Sequence, residues 1–236
     1  MITLDDVLAD PPLVHYDELN DELRTFGLGE EPMRWLAANV RAEHRTLETG
    51  SGMSTIVFAI AGSEHTVVVP NQGEEDRLRE YCAGKGIDMG RVRFVIEPAE
   101  RALPGMDTGP LDVVLIDGSH SFPHVFIDWY YTSHALREGG VAIVDDTQVW
   151  TGGTLREFLE TEPGWDREQF WSERTALFRK GPDADPDRLW LHQPYVAQRS
   201  TPPTRAQRIV QMARSGEWRT LAEKAASNAR KAVDRR

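Results

Sequence analysis

Short apolar runs rich in β-branched residues alternate with amphipathic stretches along the middle of the chain. This alternation is typical of a parallel sheet covered by helices. Strands are predicted at 45–48, 65–69, 92–96, 111–116 and 141–144, and helices at 54–61, 74–83, 122–136 and 154–160. The pair Gly139–Gly140 is predicted to close the third of these helices. The run Val113–Ile116 is apolar without a break, which indicates a strand buried on both faces.

The two ends of this region carry patterns of a different kind. Trp165–Trp171 and Thr175–Arg179 are extended runs joined by the polar turn Ser172–Arg174, which predicts an antiparallel hairpin added to the parallel sheet. Before the first strand, Asp17–Phe26 and Pro32–His44 are predicted as helices. The pattern therefore predicts an α/β protein whose mostly parallel sheet ends in antiparallel strands.

The chain divides into four predicted segments. They are a helical lead-in at 1–44, the α/β core at 45–181, a proline-marked linker at 182–203 and a basic C-terminal helix at 204–236. The 236 residues, of which 40% are hydrophobic, fit one domain of ordinary size with an appendage.

Composition narrows the class of protein. No apolar run approaches the ~20 residues of a membrane span, and the first residues lack the basic start and apolar stretch of a secretory signal. A single cysteine, Cys82, excludes an internal disulfide framework and a cysteine-rich zinc site. We therefore expect a soluble protein of the cytoplasm.

The net charge of −11 is unevenly distributed. From Arg199 onward ten basic residues face three acidic ones, so that this tail carries +7 and the rest of the chain −18. The acidic body argues against nucleic-acid binding, which needs a basic surface. The tail has a helical pattern with a partly apolar face, which is compatible with a helix on anionic lipid. Because that face is rich in alanine, we favour a solvated terminus or docking on the same or a second subunit; the N-terminal helices are another candidate surface for a homo-oligomer.

A glycine-containing loop lies between the first predicted strand and the helix that follows it. Gly50 and Gly52 let the backbone turn sharply and approach a ligand closely, and the helix N-terminus offers free N–H groups. Ser51 or Ser54 is placed to cap this helix. A dinucleotide-binding fingerprint needs a third glycine where the chain has Thr55, which weakens that interpretation. A plain strand-to-helix turn is the alternative.

Three acidic residues follow two of the predicted strands. Asp117 ends the fourth strand, and Asp145 and Asp146 end the fifth. If these strands are neighbours, the three carboxylates converge at the carboxyl edge of the sheet and repel one another unless they are protonated or bridged by a cation. A divalent ion with oxygen ligands, Mg²⁺ above all, fits this set; capping of the following helices is the alternative. Asp112, at the other end of the fourth strand, should lie far from this site.

His120 lies three residues after Asp117, at the same edge. An imidazole is a natural general base for the proton of a hydroxyl group. It is equally suited to be a further metal ligand or a helix-capping group.

With these features together, the sequence resembles the class I S-adenosylmethionine-dependent methyltransferases across roughly residues 30–181. The stretches that carry the resemblance are Leu47–Thr55, Asp112–His120 and Gly139–Thr147. The last two are similar to the metal-dependent O-methyltransferase branch, which includes catechol-type and macrolide- or aminocoumarin-sugar O-methyltransferases. The resemblance implies a doubly wound, seven-stranded, Rossmann-like sheet with an antiparallel last strand. It also implies that the core at 45–181 binds the cofactor and that the lead-in at 1–44 covers the substrate.

The resemblance implies cofactor contacts by position. The glycine loop would contact the amino-acid and sugar moieties of S-adenosylmethionine through Glu48, Gly50, Ser51, Gly52, Ser54 and Thr55. Ala99 and Glu100, just past the third strand, would approach the adenine, and Asp117 would border the cofactor. Relatives end the second strand with an acidic residue for the ribose hydroxyls, whereas this chain has Asn71; either Asn71 makes those bonds or Glu74 reaches back to them.

The resemblance implies a catalytic set as well. Asp117, Asp145 and Asp146 would hold Mg²⁺, and His120 occupies the place where relatives have a general base. We therefore predict Mg²⁺-dependent O-methylation of a hydroxyl group on a small molecule or sugar. The alternatives are a non-catalytic protein of this fold that binds a ligand or partner and, less favoured, an NAD(P)-dependent oxidoreductase.

Overall fold

Strands and helices alternate along most of the chain, as the hydrophobic pattern predicts. The computed structural model describes residues 2–17, 19–25, 27–202, 204, 207, 210 and 214. Its strands are β1 (His15–Asp17), β2 (Glu22–Arg24), β3 (Arg45–Thr49), β4 (Glu64–Val69), β5 (Val92–Ile96), β6 (Leu111–Ile116), β7 (Leu136–Val144), β8 (Trp165–Trp171) and β9 (Thr175–Lys180). Its α-helices are α1 (Leu4–Ala9), α2 (Glu30–Asn39), α3 (Met53–Ala61), α4 (Gln72–Lys85), α5 (Ala99–Ala102), α6 (His124–Ala135), α7 (Trp150–Thr161) and α8 (Pro194–Arg199).

Seven of the strands form one sheet in the order β5-β4-β3-β6-β7-β9-β8. The five strands from β3 to β7 are parallel to one another, whereas β9 is antiparallel to both of its neighbours, β7 and β8. The predicted doubly wound, Rossmann-like sheet with antiparallel last strands is therefore confirmed. The chain runs outward from β3 to β5 and returns to β6, so the direction of winding reverses between β3 and β6. Ligands of such sheets bind outside the carboxyl ends of the strands at this reversal.

Apolar side chains cover both faces of the sheet. One cluster joins Met33 and Leu36 of α2 to Phe58 and to strand residues such as Leu115 and Ile143. The other joins Ile56, Val67, Leu78 and Cys82 to the N-terminal residues Val7 and Val14. Burial raises the pKa of the Cys82 thiol to about 11, which makes this cysteine an inert part of the core. The strand ends are thus held by two packed layers, and the N-terminal segment contributes to both, with Leu4 in the first and Val7 and Val14 in the second.

The predicted helix at Asp17–Phe26 is wrong, because this region contains the antiparallel hairpin β1–β2. The Asp17 carboxylate accepts a hydrogen bond from the Leu19 backbone N–H at 3.0 Å, which favours a turn over a helix. Asp21 has a positive φ of 54°, and Leu19 is 95% exposed; neither fits a helix packed on the core through an apolar face. The short helix α1 was not predicted; it buries Leu4 and Val7.

The predicted end of the helix at 122–136 is also displaced. Helix α6 ends at Ala135, and both glycines that were predicted to close it lie inside β7. Gly139 has a φ of +75°, and the pairing of β6 with β7 shifts register between Leu111 and Val113. The glycines therefore accommodate an irregularity in the strand.

The chain divides into two compact units, Met1–Tyr195 and Val196–Arg236. The predicted basic helix of the tail lies outside the described residues except for positions 204, 207, 210 and 214. The predicted segment boundaries at 44, 181 and 203 stay predictions. No helix in the described part of the chain combines the length and apolar character needed to cross a membrane.

Candidate active site

A cavity of about 740 Å³ opens at the carboxyl edge of the sheet, where the winding reverses. The ends of β3, β4, β6 and β7 border it, together with the N-terminal hairpin through His15 and Thr25. Seven of the residues predicted from sequence line it: Gly50, Ser51, Ala99, Glu100, Asp117, His120 and Asp146. Six others are not part of the lining: Glu48, Gly52, Ser54, Thr55, Asn71 and Asp145. Its size suits a nucleoside-containing ligand with room for a small second molecule.

Gly50 brings the loop after β3 against the chain that follows β6. Its φ is +91°, and a Cβ atom at this position would lie 2.2 Å from the Asp117 carbonyl oxygen. Its N–H donates to the Val68 carbonyl oxygen at 3.0 Å. Only glycine fits this close approach, so Gly50 shapes the floor of the cavity.

Glu48 organises the glycine loop from inside the protein. Its carboxylate is 1% exposed, accepts hydrogen bonds from Ser54 Oγ at 2.6 Å and from the Thr55 hydroxyl, and lies 3.1 Å from His65 Nε2. Helix α3 has Gly52 as its N-cap, with the Gly52 N–H donating to Thr55 Oγ1 at 3.0 Å; the predicted serine cap is wrong. The buried polar groups beneath the loop are thus bonded to one another and hold the loop in place.

Of the two polar residues that follow β4, Glu74 lines the cavity and Asn71 does not. The Asn71 side chain is exposed and accepts from the Gly73 N–H at 2.9 Å, which makes it the N-cap of α4. Glu74 lines the cavity, and its Oε2 accepts from Ser51 Oγ at 2.8 Å. An acidic side chain is therefore present, three residues later than Asn71.

The three predicted acids converge, and Arg174 joins them. Strand β9 pairs with β7 so that Val144 faces Ala176, and the same register carried beyond β7 places Thr175 beside Asp145 and Arg174 beside Asp146. Arg174 Nη2 lies 3.0 Å from Asp145 Oδ2, and Arg174 Nε lies 2.9 Å from Asp146 Oδ1. The Thr175 hydroxyl donates to Asp145 Oδ1. The Asp145 carboxylate, 1% exposed, is thus enclosed by these two partners.

His120 and Asp146 form a hydrogen-bonded pair in the cavity. His120 Nε2 lies 2.8 Å from Asp146 Oδ2, and this contact lowers the pKa of Asp146 to about 2. Because an ionised carboxylate can only accept, Nε2 is the imidazole nitrogen that donates in this contact, and Nδ1 is the nitrogen left for another partner. Asp146 itself has a φ of 51°, a left-handed conformation that aspartate tolerates better than most residues.

Asp117 is the acid of the cluster without a hydrogen bond from the described side chains. Desolvation, followed by the charges of Asp145 and Asp146, holds its pKa well above the usual range. One ligand atom each from Asp117, His120 and Asp146 lie within 4.8 Å of one another. Carboxylate and imidazole donors at this spacing fit a divalent cation, which would also relieve the repulsion at Asp117. The enclosed Asp145 is not in this set.

Asp112 lies at the opposite edge, as predicted. Its carboxylate accepts from the Arg45 N–H and from Arg137 Nε, both at 2.7 Å. Burial acts to raise the pKa of Asp112, but these two bonds lower it overall.

The adenine end predicted from sequence contains charged groups that sequence reasoning missed. His124 Nε2 lies 4.0 Å from Glu100 Oε2 on the cavity wall. Asp128, one helical turn after His124, is 1% exposed, and its Oδ1 has no hydrogen-bond partner among the described residues. Burial raises the pKa of Asp128 to about 6. Asp128 is recognisable from sequence only as an acid within an otherwise apolar helix, and Arg174 only as part of a polar turn.

Replacing Gly50 with alanine should damage the cavity. The added Cβ would clash with the Asp117 carbonyl oxygen, and alanine would have to adopt the positive φ of this position. We therefore expect a loss of ~2 kcal/mol or more in the free energy of unfolding. Gly84→Ala is the control, because Gly84 lies in α4 with no atom within 4 Å of the added Cβ. Urea denaturation compares them; equal stability of the two variants would contradict the tight contact.

Replacing Asp128 with asparagine should stabilise the free protein near neutral pH. The folded state raises this pKa from 3.8 to about 6, so wild-type stability falls as pH rises from about 4 to 6 and stays lower above that range. Two pKa units correspond to about 3 kcal/mol as an upper limit. The gain in Asp128→Asn should vanish near pH 4, as measured by urea denaturation across this range.

Asp112→Asn is the matched control for this prediction. Because the folded state lowers the Asp112 pKa, its carboxylate stabilises the protein above the usual carboxyl pKa, and Asp112→Asn should destabilise at neutral pH. If the free energy of unfolding depends on pH in the same way in the wild type and in Asp128→Asn, then burial does not raise the pKa of Asp128.

Comparison with known proteins agrees with this geometry. Residues 47–147 match a family model described as a methyltransferase domain. A catechol O-methyltransferase from Mycobacterium tuberculosis (strain ATCC 25618 / H37Rv) is 35% identical over 129 residues. The alignment covers 52% of this chain and 56% of that relative, so the chain spans little more than half the length of this curated relative.

Solved structures show the same fold at low sequence identity. A putative caffeoyl-CoA O-methyltransferase from Staphylococcus aureus superposes with a TM-score of 0.60 and 14% identity, covering 77% of this chain and 93% of that one. An O-methyltransferase from Bacillus cereus, solved in complex with SAH, has a TM-score of 0.56 and 19% identity over 75% of this chain and 90% of that one. Residues 47–147 therefore match a methyltransferase domain, and the sheet has the fold of these two solved structures.

Proposed function

We propose that this protein transfers the methyl group of S-adenosylmethionine to a hydroxyl group of a small molecule. The observation that carries the proposal is the His120–Asp146 pair, 2.8 Å apart, in the cavity that the glycine loop borders. A proton acceptor with an ionised partner suits removal of a hydroxyl proton. The glycine loop on the other side of the cavity suits a nucleoside cofactor.

The cofactor would lie along the wall formed by the ends of β3, β4 and β5. Glu74, whose Oε2 already accepts from Ser51, is placed to bind the ribose hydroxyls in the role that the sequence left open between Asn71 and Glu74. Ala99 and Glu100 border the adenine end. When bound, S-adenosylmethionine supplies a methyl group that passes from its sulfur to the acceptor oxygen. The solved O-methyltransferase from Bacillus cereus, which has the same fold, is in complex with SAH, and this supports a cofactor of that kind.

His120 would take the acceptor proton at Nδ1. Asp146 holds Nε2–H and stabilises the imidazolium ion that forms, while Arg174 fixes the other oxygen of Asp146. The Thr151 hydroxyl donates to the His120 carbonyl oxygen at 2.5 Å and holds the backbone of this loop. Because methyl transfer needs an in-line approach, a fixed base also orients the acceptor oxygen.

Mg²⁺ remains part of the proposal, with a ligand set that differs from the expected one. Asp117 and Asp146 would supply carboxylate oxygens, and His120 would be either a third ligand or the base. A bound ion would lower the pKa of the acceptor hydroxyl. Asp145 would act from outside this set, through Arg174.

Two exposed aromatic side chains close in sequence to the site favour an acceptor with an apolar or aromatic body. Phe122 and Trp150 are each 68% exposed, follow His120 and Asp146 by two and four residues, and have ring centroids 6.3 Å apart. Exposed aromatic side chains supply flat contact area for a ring. We therefore propose an aromatic hydroxyl or vicinal diol ahead of a sugar. A cytoplasmic location and a homo-oligomer stay predictions from the sequence.

The first experiment is calorimetric titration of the full chain with S-adenosylhomocysteine. We expect micromolar binding, a loss of at least tenfold in Glu74→Gln because the amide offers one uncharged acceptor oxygen in place of two charged ones, and little change in Asn71→Ala. The same titration with NADH separates the oxidoreductase alternative. No binding of S-adenosylhomocysteine would contradict the proposed function, and a reversed order of the two variants would return the ribose contact to Asn71.

Replacing His120 with alanine should lower kcat by about 10²- to 10⁴-fold while leaving the Kd of S-adenosylhomocysteine within twofold. Asp146→Asn should lower kcat in the same direction, because the amide no longer fixes Nε2–H. The assay measures S-adenosylhomocysteine release with catechol, and with methyl glucoside as the sugar probe.

His134→Ala is the matched control, since His134 lies on α6 and pairs with Asp187 at 3.0 Å rather than lining the cavity. Full turnover in His120→Ala would exclude His120 as the base. Cofactor binding without turnover of either probe in the wild-type protein would favour the non-catalytic alternative.

A further inference from the structure

Arg174 occupies the centre of the carboxylate cluster. Besides its contacts with Asp145 and Asp146, its Nη2 donates to the Gly27 carbonyl oxygen at 3.1 Å. The side chain is 36% exposed and lines the cavity. The guanidinium group is therefore a cation held by three partners beside the site where a divalent ion would bind.

The carboxylate oxygens around it are nearly all engaged. Asp145 is bonded by Arg174 and the Thr175 hydroxyl. Asp146 has His120 on one oxygen, and on the other Arg174 together with Gln148 Nε2 at 2.6 Å. Asp117 is the acid whose carboxylate receives no hydrogen bond from the described residues. A divalent ion at Asp117 and Asp146 would have to share an Asp146 oxygen with one of these partners or displace it.

We propose that Arg174 is the resident counter-cation of this cluster and that a divalent ion binds Asp117 and Asp146 only in competition with it. Two positive charges a few ångströms apart repel each other strongly in a partly buried site. Arg174 also neutralises part of the negative charge that attracts the ion. The inference rests on the proposed function, because it concerns the same site. It implies that the β8–β9 turn, which carries Arg174, sets the affinity of the site for a metal ion.

The test measures Mn²⁺ binding to the full chain at pH 7.5 and fixed ionic strength, from the electron paramagnetic resonance signal of free Mn²⁺. We expect weak binding by the wild-type protein and binding at least about tenfold tighter by Arg174→Gln, because the competing charge is gone. Arg174→Lys keeps a positive charge and should stay close to wild type. Asp117→Asn added to Arg174→Gln should abolish the gain.

Arg179→Gln is the control, because Arg179 lies on β9 five residues after Arg174, pairs with Glu168 at 2.5 Å and is remote from the cluster by register. It should bind Mn²⁺ like the wild type. Equal Mn²⁺ affinity in wild type and Arg174→Gln would overturn the proposal. If Arg174→Gln does not fold, tight micromolar Mn²⁺ binding by the wild type or by Arg174→Lys would overturn it as well.

Titration of the same proteins with S-adenosylhomocysteine in the absence of metal separates this inference from the proposed function. If the wild-type protein does not bind S-adenosylhomocysteine, the methyltransferase proposal is contradicted. The role of Arg174 is decided separately, by the Mn²⁺ affinities alone.

Discussion

Negative charge crowded at one edge of a sheet is the constraint around which the rest of this structure is arranged. A doubly wound sheet brings the carboxyl ends of its parallel strands together, and here aspartate follows both β6 and β7 directly. Three carboxylates at this edge are offset by one guanidinium group, that of Arg174. The antiparallel last strand supplies it, because the register of β9 on β7 places residue 174 opposite residue 146. The terminal hairpin therefore completes the site as well as the sheet, and through Gly27 it also holds the N-terminal segment beside the cavity.

Two neighbouring glutamates show how the same residue type serves two purposes at this edge. Glu48 is buried, and its carboxylate is hydrogen-bonded to Ser54, Thr55 and His65. It fixes the glycine loop from below, so that the loop keeps its shape without a ligand. Glu74 stands in the wall of the cavity, where one oxygen meets Ser51 and the carboxylate is partly exposed. Position in the sequence motif alone does not separate these roles; burial and partners do.

The hydrophobic pattern was sufficient for β4, β6 and β7 because each contains a short apolar run that is buried on both faces. The edge at which Asp117 and Asp146 meet follows from the strand ends and was predicted for the same reason. The hairpin β1–β2 was missed because its turn depends on side-chain bonds of Asp17 and on the left-handed conformation of Asp21, which apolar periodicity does not report. Arg174 was missed because its partners are set by strand register, a long-range property. The sequence did not decide whether Asn71 or Glu74 reaches the cavity, because both lie near the start of α4. The hydrogen bond that Asn71 accepts from the Gly73 N–H shows that Asn71 caps the helix.

The cavity concentrates groups that the folded protein holds at a cost. Asp117 and Asp128 have pKa values raised by desolvation, and Asp146 takes a left-handed backbone conformation. Each of these features opposes folding, and all three lie on the lining of one cavity. A sequence chosen for stability alone would have uncharged residues at Asp117 and Asp128 and glycine at Asp146, just as the faces of the sheet have valine, leucine and isoleucine. A carboxylate that lacks a protein partner is stabilised when a ligand brings a hydrogen-bond donor or a cation to it. The unfavourable electrostatics of this edge is therefore what gives it an affinity for ligands, while the apolar layers on both faces of the sheet supply the stability that tolerates it.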